Sequence, residues 1–316
     1  MQEVYVTGRT GAKNKSFLSA FTKSNPFTRR RYLLFLLLVA PAFLLRLITA
    51  AYPILQTIFQ GFTNLDLINN TNRFIGILNY QVIWDDFQVH SAIYFTALLV
   101  VSSTALDLIV GMLVALLLNS SFRGRGFARS INLIPWAVPT IVAGYGIRWL
   151  LDDQFGLLTN WYTMLTGQHL LAFVDPTLAQ ITVILAHVWK DAPFMAVVFL
   201  AGLQGVPLDL YDAAKVDGAN AWHRFWHLTV PLVMPLTITM GLFRLVWSLA
   251  TFDLVYGLTQ GGPGEATSVL ALQIYRNGIM FFKFGYASAI SVILLLFVAV
   301  IGLVGLALFR KFDVTL

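Results

Sequence analysis

Cysteine is absent from the sequence, and this absence excludes a disulfide framework and any metal site built on thiolates. Charged residues are scarce as well, because Asp, Glu, Lys and Arg together make up 11% of the chain, against about 25% in soluble domains. Hydrophobic residues account for 58%. We therefore predict an all-α polytopic membrane protein rather than a soluble fold with its own core.

Signatures of catalysis and of nucleotide binding are also missing. The five histidines are scattered, and no nucleophile–base pair or metal-ligand spacing accompanies them. The segment Gly8–Lys13 superficially suggests a phosphate-binding loop, but it lacks the required spacing and no strand precedes it. No basic patch with interleaved aromatic residues favours nucleic acid as a partner. We therefore expect neither an enzyme nor a nucleotide-binding subunit, and no metal or other cofactor in this chain.

Six apolar runs are long enough to cross a bilayer, which takes about 20 residues. They lie at Leu33–Phe59, Ile93–Leu118, Phe127–Leu151, Leu178–Leu203, Pro235–Leu258 and Tyr286–Phe309. A polar, basic segment, residues 1–32, precedes them and is predicted to be a cytosolic tail that lies on anionic lipid. The chain thus divides into this tail and a six-span domain, residues 33–316.

Lysine and arginine predict the orientation, because cytoplasmic segments of membrane proteins carry an excess of both. With both termini in the cytosol, the outside segments hold only Arg73, Arg276 and Lys283. All other Lys and Arg residues that lie in loops or at the chain ends fall in the inside segments. They are Arg9, Lys13, Lys15, Lys23, Arg29, Arg30, Arg31, Arg123, Arg125, Arg129, Lys215, Arg224, Arg310 and Lys311. The net charge of +6 is therefore assigned to cytosolic loops.

One long polar segment, residues 206–235, interrupts the apolar runs and falls on the cytosolic side. Pro207 and Asp209 are typical of a helix start. Gly218 then predicts a left-handed turn that ends this helix. A second short amphipathic helix is predicted from about Asn220 to His227, ended by Pro231 and Pro235. Such a helix–glycine–helix unit suits docking into a partner's groove; the alternative is an ordinary loop on the lipid surface.

The same segment resembles the EAA loop of permease subunits in binding-protein-dependent ABC importers. The resemblance rests on Asp212-Ala213-Ala214, Asp217-Gly218-Ala219, Phe225, Pro231 and Pro235. Two positions depart from the family pattern, with Asp212 in place of Glu and Leu228 in place of Ile. Asp212 keeps the charge on a shorter arm. A docking contact made by this residue is therefore expected to be shifted rather than lost.

Further motifs extend the resemblance over nearly the whole chain after the tail. They are Phe74-Ile75-Gly76 with Asn79-Tyr80, Leu116–Asn119, Pro135–Pro139 and Leu258–Pro263. The last is similar to the carbohydrate branch of the family, the MalF-type permeases for maltose, trehalose and glycerol phosphate. The resemblance implies a six-span importer permease of the type I fold in a bacterial or archaeal inner membrane, moving a sugar or sugar-like solute by alternating access.

The resemblance also implies partners and a coupling surface. Two ABC ATPase subunits would bind and hydrolyse ATP, a second homologous permease would complete a heterodimer, and an extracytoplasmic solute-binding protein would deliver the solute. The acidic, aromatic outside loops suit that delivery, although plain solvated connectors explain them equally well. The residues expected to couple to the ATPase are Leu210, Asp212, Ala213, Ala214, Asp217, Gly218, Ala219 and Phe225.

Polar side chains inside two spans predict a solute site, because such groups are costly in lipid and mark partners or pathways. His187, Lys190, Asp191 and Phe194 share one face of the fourth span at helical spacing. Arg244, Trp247, Ser248 and Thr251 repeat the pattern in the fifth. The family resemblance adds Trp136 and Thr140 in the third span. The alternative is an interhelical ion network of Lys190, Asp191 and Arg244 that only holds the bundle together, with Asp253 pairing to Arg244 or Arg148.

A second function remains open at the level of sequence. In an ion-coupled secondary transporter, Asp107, His187, Asp191 and Asp253 would be the coupling groups. No inverted repeat or pair of broken half-helices favours it. Arg46 and Asp107 are isolated on their helices, and we interpret each as a partner-subunit contact or as half of a pair within the bundle.

Overall fold

A computed structural model describes residues 26–311, and the elements in this range are helices joined by loops and two isolated β-bridges. The chain divides into two compact units, Met1–Gln56 and Thr57–Leu316. The basic residues Arg9, Lys13, Lys15 and Lys23 of the predicted tail lie outside the described residues. The tail boundary after Tyr32 therefore stays a prediction.

The helices alternate between long membrane-sized elements and short connecting ones. The first helix, α1, covers Pro26–Arg46 and passes through a π-helical turn, Leu47–Ala51, into α2, Tyr52–Gln60. The others are α3 Leu78–Asp85, α4 Phe87–Asn119, α5 Arg125–Asn132, α6 Ile134–Ala137, α7 Thr140–Leu150, α8 Leu157–Thr166, α9 Pro176–Gln204, α10 Leu208–Val216, α11 Ala221–Arg224, α12 Val230–Leu249, α13 Asp253–Leu258, α14 Leu270–Tyr275 and α15 Phe284–Lys311. Further π-helical turns, Phe225–Thr229 and Arg276–Met280, follow α11 and α14.

Five continuous helical stretches are long and apolar enough to cross a membrane. A pair of helices joined at a sharp bend gives six if the pair is counted as one span. The continuous ones are Leu34–Gln60, Phe87–Asn119, Pro176–Gln204, Ala221–Leu249 and Phe284–Arg310. The bent pair joins Arg125–Ala137 to Thr140–Leu150 at an angle of 92°. Span positions predicted from apolar runs thus agree with long helices for the first, second, fourth and sixth spans.

The centre of the second unit is the contact between α4 and α9. Phe95 and Leu99 of α4 pack with Val183 of α9 against the short helix α13. A second buried cluster lies further along the same pair, where Ala115 meets Met195 and Phe199. The cluster residues are fully or nearly fully buried. The tight α4–α9 contact therefore provides a fixed frame against which the neighbouring helices are placed.

The third span differs from the sequence prediction. The sequence predicts one apolar span, Phe127–Leu151, but the chain forms three helices there, α5, α6 and α7. Val138 and Pro139 adopt extended backbone angles between α6 and α7. Proline removes a backbone donor and clashes with the preceding turn, and the residue before proline avoids helical angles. These local effects break the helix rather than only bending it.

The fifth span also ends earlier than predicted. The apolar run Pro235–Leu258 was read as one span, whereas α12 ends at Leu249 and α13 begins at Asp253. The short helix α13 packs closely on α7, with Gly144 and Gly257 at the contact. A Cβ at Gly257 would come within 2.8 Å of the Ile141 carbonyl oxygen. Small residues allow this close helix approach, and the contact stabilises a break that composition does not reveal.

Two loops of the second unit, around Asp66 and around Glu265, are held by specific polar contacts. Asp66 accepts hydrogen bonds from the backbone N–H groups of Ile68 and Asn69 at 2.8 and 2.9 Å. Hydrogen bonds donated by Asn69 hold the pKa of the partly exposed Asp66 carboxyl below its ordinary value. In the other loop, Arg276 donates to both carboxylate oxygens of Glu265 at 2.7 and 2.8 Å. Both loops therefore contain specific internal hydrogen bonds.

Candidate functional site

A cavity of about 400 Å³ lies where two interrupted helical segments meet the continuous helix α9. Its walls come from the α6–α7 break, from the middle of α9, and from the α12–α13 break. The volume is within the range of about 300–1,000 Å³ that is usual for small-molecule sites. The broken helices are therefore the elements that create this space.

Lys190 holds the α6–α7 break open. Its side chain is 6% exposed, and its ammonium donates to the backbone oxygens of Trp136 and Val138 at 3.1 and 2.9 Å. The helix end at Ala137 leaves carbonyl groups without helical partners. A buried charge needs such hydrogen bonds to offset its desolvation. Lys190 therefore satisfies the backbone of the break and is itself satisfied by it.

Two tryptophans give the cavity broad aromatic walls. Trp136 is 47% exposed and Trp247 is 60% exposed, and both line the space. Trp136 is fixed from behind by stacking on Phe194, with ring centroids 5.3 Å apart. Phe243 supports Trp247 at 5.5 Å. Exposed aromatic faces with a polar N–H at the edge suit a ligand that has both apolar and polar surfaces.

Directly behind the cavity, Arg244 joins three helices in an ion network. Its Nε and Nη2 atoms donate to Asp107 Oδ2 of α4 at 3.0 and 2.6 Å. Nη2 also donates to Asp191 Oδ2 of α9 at 3.1 Å. Asp107 is fully buried and Arg244 is 3% exposed. Asp107 is thus half of a pair within the bundle, and the anticipated pairing of Asp253 with Arg244 does not occur.

His187 links this network to the cavity. Its Nδ1 atom lies 3.3 Å from Arg244 Nη2, and its Nε2 atom lies 3.0 Å from Thr251 Oγ1. A guanidinium only donates hydrogen bonds, so Nδ1 accepts and the ring proton is assigned to Nε2. His187 is then a neutral donor to Thr251, and the hydroxyl proton of Thr251 is left for an acceptor inside the cavity.

The residues predicted for a solute site fall into two groups. Those that line the cavity are Trp136, Thr140, His187, Lys190, Asp191, Trp247 and Thr251. Phe194, Arg244 and Ser248 lie outside its lining. Phe194 and Arg244 support lining residues from behind, and the buried Ser248 hydroxyl has no protein partner in the described range.

Further lining residues were not named individually for a solute site, although they lie within segments that the family resemblance places at it. They are Val138, Pro139, Ala250, Phe252, Asp253 and Leu254. Apolar residues within an apolar run carry no signal of their own. Asp253 carries one, since an acidic residue inside a predicted span is unusual, and as a single residue it was named only as a pairing or coupling group. Within residues 26–311, no group of three His, Cys, Asp or Glu side chains is placed to hold a metal ion.

The predicted coupling segment forms a helix, a left-handed turn and a second helix. Helix α10 ends at Val216, and Gly218 has a φ angle of +80°. The backbone N–H groups of Gly218 and Ala219 donate to the carbonyl oxygens of Lys215 and Ala214 at 3.0 and 2.9 Å. This is the Schellman pattern of helix termination. Asn220 then caps α11 through its side chain, which accepts from the His223 N–H at 2.8 Å.

Five of the eight residues predicted to couple to an ATPase are exposed on this segment. Leu210 is 42% exposed, and Ala213, Asp217 and Gly218 are exposed as well. Asp212 pairs with Lys215 of its own helix at 2.7 Å, with both side chains more than half exposed. Ala214, Ala219 and Phe225 are partly buried. A continuous face is therefore open to solvent on α10 and the following turn.

One expectation for this segment is wrong, because the second helix does not end at Pro231. It passes through the π-helical turn Phe225–Thr229 into α12, so that Ala221–Leu249 is one helical stretch. Pro231 lies at the start of α12, directly after the π-helical turn. The Tyr211 hydroxyl, 3.1 Å from Thr229 Oγ1, connects α10 to this stretch. The exposed segment is thus continuous with the helix that carries Arg244.

Comparison with known proteins gives consistent matches over most of the chain. The profile of a family described as "binding-protein-dependent transport system inner membrane component" matches residues 107–314. The sulfoquinovosyl glycerol permease SmoG of Agrobacterium fabrum is 34% identical, covering 89% of this chain and 92% of that protein. The trehalose/maltose permease MalF of Thermococcus litoralis is 34% identical over 81% of this chain and 87% of its own length.

Two further similarities extend this picture. The trehalose permease SugA of Mycobacterium tuberculosis is 33% identical, covering 95% of this chain and 96% of that protein. A crystal structure of a bacterial ABC transporter that imports the acidic polysaccharide alginate contains a chain with the same fold. It has a TM-score of 0.79 and 22% identity, covering 90% of this chain and 97% of that chain.

Proposed function

Because this chain belongs to the family of binding-protein-dependent transport system inner membrane components, we propose that it carries a sugar or sugar-like solute across the membrane. Membership makes the chain a multi-pass inner-membrane permease component of an ABC importer, and such a component is not itself catalytic. The solute, the residues that contact it and the partner subunits belong to the proposal.

The observation that carries the sugar proposal is the cavity at the helix breaks. It combines two exposed indole faces, Trp136 and Trp247, with an ammonium group, a carboxylate and a hydroxyl from Lys190, Asp191 and Thr251. Sugar rings offer an apolar face for stacking and hydroxyl groups that both donate and accept. The sugar names of several relatives at 33–34% identity support the same solute class.

Coupling to ATP hydrolysis is proposed to run through the exposed helix–turn–helix segment. Residues Leu210, Asp212, Ala213, Ala214, Asp217, Gly218, Ala219 and Phe225 would form or shape the surface that docks on a separate ATPase dimer. The unbroken stretch Ala221–Leu249 leads from that surface to Arg244 and Trp247 beside the cavity. Movement of the ATPase would therefore reach the cavity without crossing a flexible joint, and would switch its access between the two sides of the membrane.

The assembly is proposed to have six spans per permease, with α5, α6 and α7 forming the third, and both termini in the cytosol. A second homologous permease would complete the pathway, and an extracytoplasmic binding protein would deliver the solute. The importer of alginate, to whose permease this fold is similar, is described in complex with a periplasmic protein bound to an alginate pentasaccharide. That arrangement supports an external partner of the same kind here.

Reconstitution tests the proposed function directly. The chain is purified with its ATPase, second permease and binding protein, and ATP hydrolysis and sugar uptake are measured in liposomes. We expect uptake that needs both ATP and the binding protein. Replacing Trp247 by Ala should raise the sugar concentration for half-maximal uptake about tenfold, since a stacking surface is lost.

Trp189 provides the matched control for that variant. It is 48% exposed on α9 but lies outside the cavity lining, so its replacement by Ala should leave the half-maximal concentration unchanged. Sugar uptake by the lone chain driven by an ion gradient would contradict the proposal and favour a secondary transporter. Equal effects of the two tryptophan variants would contradict the assignment of the cavity.

A further inference from the structure

The charged groups around the cavity determine which solutes it accepts. Its positively charged side chains already form ion pairs or hydrogen bonds within the protein. Arg244 is not part of the lining, because its guanidinium lies behind the wall and is bonded to Asp107 and Asp191. A strongly engaged arginine offers little attraction to a further anion. The cation that remains in the wall is Lys190.

Most of the hydrogen-bond donors of Lys190 are occupied as well. Two of its three N–H donors bond to the carbonyl oxygens of Trp136 and Val138, which leaves one donor for a ligand. A single N–H suits one hydroxyl or carbonyl oxygen. A phosphate, sulfonate or carboxylate group is normally bound by several donors together.

Two carboxylates face the same space. Asp191 uses Oδ2 for Arg244, while its Oδ1 atom makes no hydrogen bond within residues 26–311. Asp253 lines the cavity and is exposed, and no lysine or arginine in the described range lies within ion-pair distance of it. The lining and the network behind it therefore contain two cations, Lys190 and Arg244, against three carboxylates, Asp107, Asp191 and Asp253.

The remaining polar groups suit hydroxyls. His187 fixes Thr251 as a donor toward the cavity, and the indole N–H groups of the two tryptophans only donate. Asp191 and Asp253 only accept when ionised. Each hydroxyl of a sugar both donates and accepts, so that it satisfies a wall of alternating donors and carboxylates. An anionic group accepts only and meets two carboxylates of like charge.

We propose that the solute of this cavity is an uncharged sugar or polyol, and that Asp253 is a specificity-determining residue that disfavours acidic and phosphorylated sugars. This inference rests on the proposed function and narrows it. The position of Asp253 at the start of α13, beside a helix break rather than within a span, places its carboxylate at the cavity wall without burying it.

The test measures equilibrium binding to the complete transporter in lipid nanodiscs without the binding protein, so that only the membrane site is probed. The ligands are matched pairs that differ by one phosphate group, trehalose with trehalose 6-phosphate and maltose with maltose 6′-phosphate. We expect each neutral sugar to bind at least about tenfold more tightly than its acidic partner, since like charges are brought together in the acidic complexes.

Substitution at Asp253 then identifies the source of the discrimination. Asp253→Asn keeps the side-chain shape and removes the charge, so it should reduce the ratio between neutral and acidic affinities several-fold. Asp153→Asn is the control, because Asp153 is an exposed acid of an outer loop that does not line the cavity. That variant should bind both members of each pair as the unmodified transporter does.

The possible outcomes distinguish a failure of this inference from a failure of the proposed sugar-transport function. Tighter or equal binding of the acidic sugars would overturn the inference alone and leave a sugar permease in place. An unchanged ratio in Asp253→Asn would overturn the role of Asp253. Binding of no sugar from either pair, together with ATP hydrolysis that no sugar stimulates, would overturn the proposed function and this inference with it.

Discussion

Arg244 shows how one buried residue serves both the bundle and the cavity. Its guanidinium connects α4, α9 and, through His187, the loop that carries Thr251. Burying an ion pair costs desolvation that the pair's attraction only partly offsets, whereas removing one partner leaves an uncompensated charge. The network therefore contributes a fixed arrangement of cavity side chains more than it contributes net stability.

Replacing Arg244 by Met should lower the free energy of unfolding by about 3–5 kcal/mol, because Asp107 is left buried without a countercharge. Thermal unfolding of the purified complex measures the effect. The double variant Arg244→Met with Asp107→Leu removes both charges and should recover much of the loss. If the double variant is as unstable as the single one, the ion pair is not the cause.

Gly218 is a second residue whose identity the backbone dictates. Replacement by Val should abolish sugar-stimulated ATP hydrolysis while membrane insertion persists, because a β-branched residue is strongly disfavoured at a φ of +80°. The space around Gly218 is open, so any loss arises from backbone strain and not from collision. Asn tolerates this conformation, and Gly218→Asn should keep most of the coupled hydrolysis. Normal coupling in Gly218→Val would show that the segment is only a loop.

Among the elements, sequence reasoning succeeded where periodicity and composition dominate. Four spans and the Gly218 turn were predicted because apolar length and a glycine between two helical segments are strong local signals. The polar stripe of α9 was found for the same reason, and three of its four members, His187, Lys190 and Asp191, line the cavity.

The helix breaks were missed because their causes are not local. Pro135 and Pro139 can distort a helix, but a proline kink and a full break look alike in an apolar sequence. The end of α12 at Leu249 depends on the packing of α13 against α7, which joins residues far apart in the chain. Val138, Ala250 and Leu254 line the cavity because these breaks exist, so the sequence did not single them out one by one.

The α7–α13 contact can be tested with two glycines on one helix. Gly144→Val should lower thermal stability and transport, because even a Cβ at this position would come within 3.0 Å of the Leu254 carbonyl oxygen. Gly146→Val is the matched control on the same helix, where nothing lies within 4 Å of the added Cβ. Comparable melting temperatures for the two variants would contradict a close contact between α7 and α13.

For the whole molecule, the distribution of Lys and Arg assigns each loop to one side of the membrane. The assignment puts α8 outside and α10 in the cytosol, on opposite sides of α9. The chain contains no cysteine, so single cysteines can be introduced without further changes. Leu165 and Val216 suit this purpose, since they are 87% and 88% exposed.

Labelling with a membrane-impermeant maleimide checks the orientation. In sealed right-side-out vesicles, Leu165→Cys should react and Val216→Cys should not. After permeabilisation both should react to the same extent, which also confirms that the second site is accessible. Reaction of Val216→Cys in sealed vesicles would place the helix–turn–helix segment outside and would exclude contact with a cytosolic ATPase.

The unbroken stretch Ala221–Leu249 also fixes an angular relationship along its length. Each residue of an α-helix advances by about 100°, so the direction in which Arg244 points is set by the number of residues that separate it from Asn220. The π-helical turn Phe225–Thr229 holds one residue more than an α-turn and is already part of that count. Deleting one residue from the α-helical part between Val230 and Arg244 would leave a continuous helix yet turn Arg244 by about 100° relative to the exposed helix–turn–helix segment. The same deletion within the π-helical turn would instead convert it into an α-turn. The length of this α-helical part, more than its sequence, therefore sets how the exposed segment is oriented relative to the ion pair of Arg244 and Asp107.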